Sequence, residues 1–207
     1  SVSYPITITI SASPIAGTVS SSQTICSGTL PNALTLSGHN GSIQWQSSID
    51  ATTWNSISGA TSSTLSSSTI GEISTETFFR AIVTNLCSSS ISNVVAISIG
   101  GTSTWNGTSW SSAPNGGTSL VFNGSFSSTA SIEGCNCTVN SGTVVFNPNT
   151  NLTVRGSVEV VGGSLTFENN SNLIQTSEAV NSGNIRVKRT SNALKRLDYI
   201  AWSSPVV

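Results

Sequence analysis

The sequence predicts an all-β protein, an Ig-like β-sandwich followed by a short parallel β-helix-like domain. Three observations lead there. Between Cys26 and Ile99, short runs alternate apolar and polar residues, tightly in Ser42-Ile43-Gln44-Trp45-Gln46 and more loosely in Arg80-Ala81-Ile82-Val83-Thr84. Period-two alternation means a strand with one wet and one buried face. Second, Cys26, Trp45 and Cys87 follow one another in the order that goes with an immunoglobulin-like sandwich, with turn signals roughly every 8–12 residues. Third, a 21-residue repeat takes over in the second half.

Val2 to Ile10 alternates like a final strand and echoes Ser92 to Ile99. Residues 1–12 are therefore expected to be the tail of a preceding Ig-like repeat, with Ser13-Pro14-Ile15-Ala16-Gly17 as the joint. Residues 13–100 make the sandwich, with strands expected near 18–25, 33–37, 42–47, 54–58, 63–66, 76–85 and 91–99. Gly100-Gly101 ends it. Residues 101–207 form the β-helix-like domain, expected to run past the C-terminal end of this chain. There Phe146-Asn147-Pro148-Asn149-Thr150-Asn151-Leu152 matches Phe167-Glu168-Asn169-Asn170-Ser171-Asn172-Leu173. Val139-Asn140-Ser141-Gly142 foreshadows Val160-Val161-Gly162-Gly163 at the same offset. About three short strands per period is what one rung of a parallel β-helix requires. Phe146 should then stack on Phe167 and Asn149 on Asn170, about 4.8 Å apart. The segment Trp105-Asn106-Gly107-Thr108-Ser109-Trp110 is expected to cap one end and Ala193 to Trp202 the other. Asn106 is expected to be replaceable by Ala at little cost.

Composition narrows the setting. Of 207 residues, 43 are Ser and 26 are Thr, yet only 7% are charged and the net charge is −1. Hydroxyls interleaved with Val, Ile, Leu, Phe and Trp can coat solvated strand faces without charge, and a disordered tract lacks that apolar complement. No field gathers nucleic acid or an anionic membrane. No apolar run approaches the roughly 20 residues that span a bilayer, so no membrane insertion is expected. With no Met, the chain is expected to be an internal or processed piece of something longer. Four cysteines favour an oxidising compartment.

Several of these segments resemble a known group. Gln23-Thr24-Ile25-Cys26-Ser27-Gly28, Ser42 to Ser48, Ile57-Ser58-Gly59-Ala60-Thr61 and Phe79 to Thr84 resemble the tandem Ig-like (PKD-like) repeats of giant surface proteins of gliding Bacteroidota. Trp105-Asn106-Gly107, Glu168 to Gln175 and Asp198 to Val206 resemble the segment after such repeats in proteins exported by the type IX secretion system. The resemblance implies export across the outer membrane to the cell surface or medium. It also implies a role as an adhesin in adhesion, gliding or a structural stalk, with secretion and outer-membrane attachment proteins as partners.

Candidate chemistry is sparse. His39 is the single histidine and lies in a turn, with no nucleophile or orienting carboxylate suggested around it. Elbow, phosphate-loop, zinc and calcium signatures are missing. Arg155, Glu159 and Glu168 are too few for the charged face of a polysaccharide lyase. The chain is expected not to be an enzyme and to use no cofactor or metal. Cys26 and Cys87 are expected to form a disulfide near one end of the sandwich. For Cys135 and Cys137 three readings stand: a small strained disulfide ring, two free thiols, or a metal or redox pair. Trp45 belongs to the core. Trp54, Trp105, Trp110 and Trp202 suit stacking on a pyranose, against plain packing at strand ends and caps. Arg186, Lys188 and Arg189 read as a charged strand edge or as a partner-docking patch. Surface polysaccharides are therefore the second candidate ligand, which would make the chain a glycan-binding accessory module of a secreted hydrolase.

Overall fold

The computed structural model describes residues 12–86 and 88–190, and almost all of its regular structure is β. Two compact units divide between Gly100 and Gly101. The expected repeat tail, the Ala193–Trp202 cap and Cys87 lie outside the described residues, apart from Ala12 at the end of that tail.

The N-terminal unit has two sheets around one core. The first joins β1 (Thr18–Val19), β3 (Leu34–Ser37) and β6 (Thr64–Leu65), all antiparallel. The second runs in the order β2 (Gln23–Ile25), β9 (Val95–Ile99), β7 (Thr77–Thr84), β4 (Ser42–Ser48), β5 (Asn55–Ser56), with β8 (Ser89–Ile91) also on β7. β2 pairs with β9 in parallel, and every other pairing is antiparallel. Alternation does what period two predicts. Ile43 and Trp45 of β4 and Phe79, Ala81 and Val83 of β7 point inward, onto Leu34, Leu36 and Leu65 from the other sheet. The Trp45 indole N–H is satisfied by the Ser62 carbonyl at 2.8 Å, as a fully buried polar tip requires.

The single strand expected over 18–25 is in fact two. Ser20 donates its backbone N–H to Thr35 in the first sheet, and the Ser22 hydroxyl accepts from the Ala96 N–H in the second. The serines thus carry the chain from one sheet to the other. Residues 91–99 are interrupted in the same way by Ser92, whose hydroxyl replaces a ladder partner for the Ala81 N–H at 2.9 Å. A one-turn helix α1 (Ser67–Ile70) was not expected. It is capped by the Ser66 side chain, which accepts from the Thr69 N–H, and is closed at Gly71.

The C-terminal unit is a β-solenoid with three parallel faces. One face stacks β10 (Thr102–Trp105), β11 (Ser119–Asn123), β14 (Cys137–Ser141) and β17 (Val158–Val160). The next stacks β12 (Phe126–Ser127), β15 (Thr143–Phe146), β18 (Ser164–Phe167) and β20 (Ile185–Val187). The third stacks β13 (Ile132–Gly134), β16 (Asn151–Val154) and β19 (Asn172–Gln175). Phe146 lies in register with Phe167, and their rings stack at 5.2 Å with 14° between planes. Leu120, Phe122, Val139, Val144, Leu152, Val154, Val158 and Leu165 complete a dry interior.

The corners explain the repeat. Asn149 and Asn170 turn the second face into the third at φ 67° and 63°, a left-handed conformation that Asn tolerates better than most residues. Gly142 and Gly163 turn the first face into the second at φ 84° and 77°. A Cβ on Gly163 would sit 2.1 Å from the Gly142 carbonyl oxygen, so this corner needs glycine for space as well as for φ.

Candidate contact surface

Of the expected contact residues, Trp54 belongs to the N-terminal unit and the others to two places in the C-terminal unit. Trp105 and Trp110 do come together, as an antiparallel bridge at the end of β10. Their rings are taken up by packing. Trp105 meets Phe126 edge-on at 5.1 Å, and Trp110 meets Phe122 edge-on at 5.2 Å. The Trp105 indole N–H is bonded to the Ser125 carbonyl at 2.8 Å. The pair works as the expected cap, covering the aromatic column that continues through Phe146 and Phe167.

Arg186, Lys188 and Arg189 lie on and just after β20. Lys188 forms an ion pair with Glu168 at 2.6 Å. Arg189 bonds the Lys188 carbonyl at 2.8 Å and the Asn172 side chain at 3.1 Å. Arg186 is exposed. Two of the three basic side chains thus reach back onto the rung beneath.

Trp54 sits half-buried just before β5, with the Arg80 guanidinium 4.0 Å from its ring centroid. Arg80 Nε donates to Gln46 Oε1 at 2.9 Å, and the Gln46 amide reaches Ser56 Oγ at 3.4 Å. These residues meet because Arg80 faces Gln46 across β7 and β4, and Gln46 faces Ser56 across β4 and β5. The sequence shows Arg80 and Gln46 only as residues of two alternating strands, because their meeting, with each other and with Trp54, depends on register.

The cysteines divide differently from expectation. Cys26 and Cys135 are each disulfide-bonded, whereas Cys137 is a free, buried thiol. The Cys135–Cys137 ring is therefore not formed. Cys137 opens β14 with its side chain in the solenoid core, in register with Leu120 and Val158. Burial pushes its thiol up to about 12, which suits neither metal binding nor redox exchange. The expected Cys26–Cys87 pairing involves a residue outside the described set.

The remaining polar groups serve turns. Asp50 accepts from the Thr52 and Thr53 N–H groups and the Ser48 hydroxyl, and these bonds hold its carboxyl well below the usual carboxylate range. His39 is half-buried between β3 and β4. Among the described residues no group of three or more His, Cys, Asp or Glu side chains is placed to hold a metal ion, and no helix is long and apolar enough to cross a membrane.

Fold and surface together define a two-unit β protein with a β-solenoid as its second half. The chain belongs to the family described as Domain of unknown function (DUF8693), whose model matches residues 102–207 and so covers the solenoid. Residues 15–101 match a second model, described as Domain of unknown function (DUF8696). No curated protein and no solved structure matches the chain.

Proposed function

We propose that this chain is a non-enzymatic segment of a large secreted bacterial surface protein, an adhesin in which an Ig-like sandwich leads into a β-solenoid. The observation that carries the reading is the strand order of the N-terminal unit. Strands β1, β3 and β6 correspond in order to the A, B and E strands of an Ig-like sandwich, and β4, β7 and β9 to its C, F and G strands. Such a module joined to a short solenoid suits spacing and display, where stiffness matters more than a catalytic cleft. The resemblance to tandem repeats of gliding Bacteroidota supports an extracellular or cell-surface location, reached through the type IX secretion system. Antibodies against the chain should label intact cells of the producing bacterium and fail to label a strain lacking that export system. Labelling only after permeabilisation would overturn the reading.

A second reading, a glycan-binding accessory module, is favoured by one observation, the Trp54–Arg80 pair on the second sheet of the N-terminal unit. Trp105 and Trp110 support it less, because their rings are packed against Phe122 and Phe126.

A further inference from the structure

We infer that Arg80, seated over the Trp54 ring and anchored by Gln46, is a preformed receptor for a sugar carboxylate, so that the N-terminal unit binds polysaccharide bearing uronic acids. The inference extends the glycan-binding reading and needs nothing from the cell-surface one. Arg80 is the only Lys or Arg before Arg155. Among the described residues no carboxylate lies within ion-pair distance of it. The nearest acid in sequence, Glu76, accepts from the Ser98 hydroxyl at 2.6 Å, and Asp50 is used up in its own turn. A lone cation on a strand, with no acid placed to neutralise it, is available to an external anion.

Its geometry is also set in advance. Trp54 seats the guanidinium through the cation–π contact at 4.0 Å from its ring centroid. Gln46, itself only 9% exposed, takes the Nε–H and is held in turn by Ser56. The side-on fork of Nε with one Nη is therefore occupied. The end-on fork of Nη1 and Nη2 keeps its donors, and two parallel N–H groups match the two oxygens of a carboxylate. A ligand that meets this fork finds the Ser56 hydroxyl and the Gln46 amide nearby, both on the face of the sheet that carries Arg80. These suit the hydroxyls of a sugar ring better than an apolar side chain.

The test is an NMR titration of the full chain, following the Arg80 Nε–H and the Trp54 indole N–H. The probes are oligogalacturonate, its methyl ester, a neutral oligosaccharide of the same length, and a short peptide with a free C-terminal carboxylate. Oligogalacturonate should shift both signals, with binding weakened by salt as expected for an exposed charge. Its methyl ester and the neutral sugar should not. R80K keeps the charge but loses the fork, and should weaken binding about tenfold or more. Gln46→Glu should also abolish binding by supplying an internal carboxylate to Arg80, while the amide spectrum stays that of the folded chain. Equal binding by the methyl ester or by R80K would sink the carboxylate fork and leave sugar binding standing. Binding of the peptide but not of oligogalacturonate would reassign the fork to a chain terminus. No shift with any probe would overturn the receptor altogether.

Discussion

At the scale of single residues, stability rests on a few buried rings and a few well-placed oxygens. Phe146 and Phe167 are both fully buried and stacked. Phe167→Ala should cost about 3–5 kcal/mol, read from the urea midpoint of the C-terminal unit, because neighbouring rungs cannot collapse into the space. A loss below about 1 kcal/mol would mean that the rungs repack freely. Asn106 corrects the expectation of a neutral site. Its side-chain oxygen accepts from the Thr108 N–H, the Thr108 hydroxyl and the Ser109 N–H, each at 2.9 Å. Asn106→Ala should therefore cost about 1 kcal/mol, the typical worth of a local hydrogen-bonded turn. Asp50 gives a pH signature. Because its folded value is depressed, the stabilisation it supplies is present above the ordinary carboxylate range and is lost as pH falls through the folded value. In an NMR titration its carboxyl should stay ionised well below the ordinary carboxylate range. An ordinary midpoint would refute the turn's hydrogen bonding. Cys137 should resist alkylation in the native chain and react once the chain is unfolded without reductant.

At the scale of elements, the corners discriminate between kinds of glycine. Gly59 has φ +72° with nothing within 4 Å of a would-be Cβ, whereas at Gly163 the same atom strikes backbone. Gly59→Ala should cost about 1–2 kcal/mol, for left-handed backbone alone. Gly163→Ala should cost clearly more and broaden amide signals on β15 and β18. Equal costs would show that the rungs can move apart. The second and third rungs were legible in the sequence because the rings, the left-handed Asn and the corner Gly all recur 21 residues apart. The first rung was not. Its three faces sit 17, 18 and 20 residues from their equivalents, and it has neither an Asn corner nor a matching Phe pair. The sheet switch at Ser20–Ser22 and the helix α1 were hidden for another reason. In a chain so rich in Ser, a hydroxyl that replaces a ladder bond or caps a turn looks like any other. Of the contact surface, Trp54 was legible as an aromatic candidate. Arg80 and Gln46 were visible only as strand residues, because cross-strand partnership depends on register.

At the scale of the whole molecule, very few charges are spread over many hydroxyls, and the polar groups that can be traced are mostly engaged in turns, caps and ladders. If the segment is a spacer, the purified chain should turn over no substrate in a broad panel of polysaccharides and peptides, with a boiled sample as control. Activity lost in Glu168→Gln would mean that the Glu168–Lys188 pair is catalytic rather than a rung contact. The two units also differ in how far apart in the chain their partners lie. In the N-terminal unit Ser22 and Ala96 share a hydrogen bond across 74 residues. In the solenoid the rung bonds join residues 17 to 23 apart, such as Asn123 with Asn140 and Val158 with Asn181.

That difference sets an order of events during folding. Each rung added to the solenoid closes a loop of nearly constant, modest length, so the entropic toll repeats in equal small steps and the structure can grow by propagation from any formed rung. The N-terminal unit must bring the ends of almost its whole length together before β2 and β9 can pair, which is a single late closure with a slower expected rate. Pulse-labelled hydrogen exchange during refolding should accordingly protect the amides of β14 to β19 before those of β2 and β9. The 21-residue spacing that made the rungs readable is thus also a clock, because the same corner residues that mark the repeat set how far the chain must search before each new strand is captured.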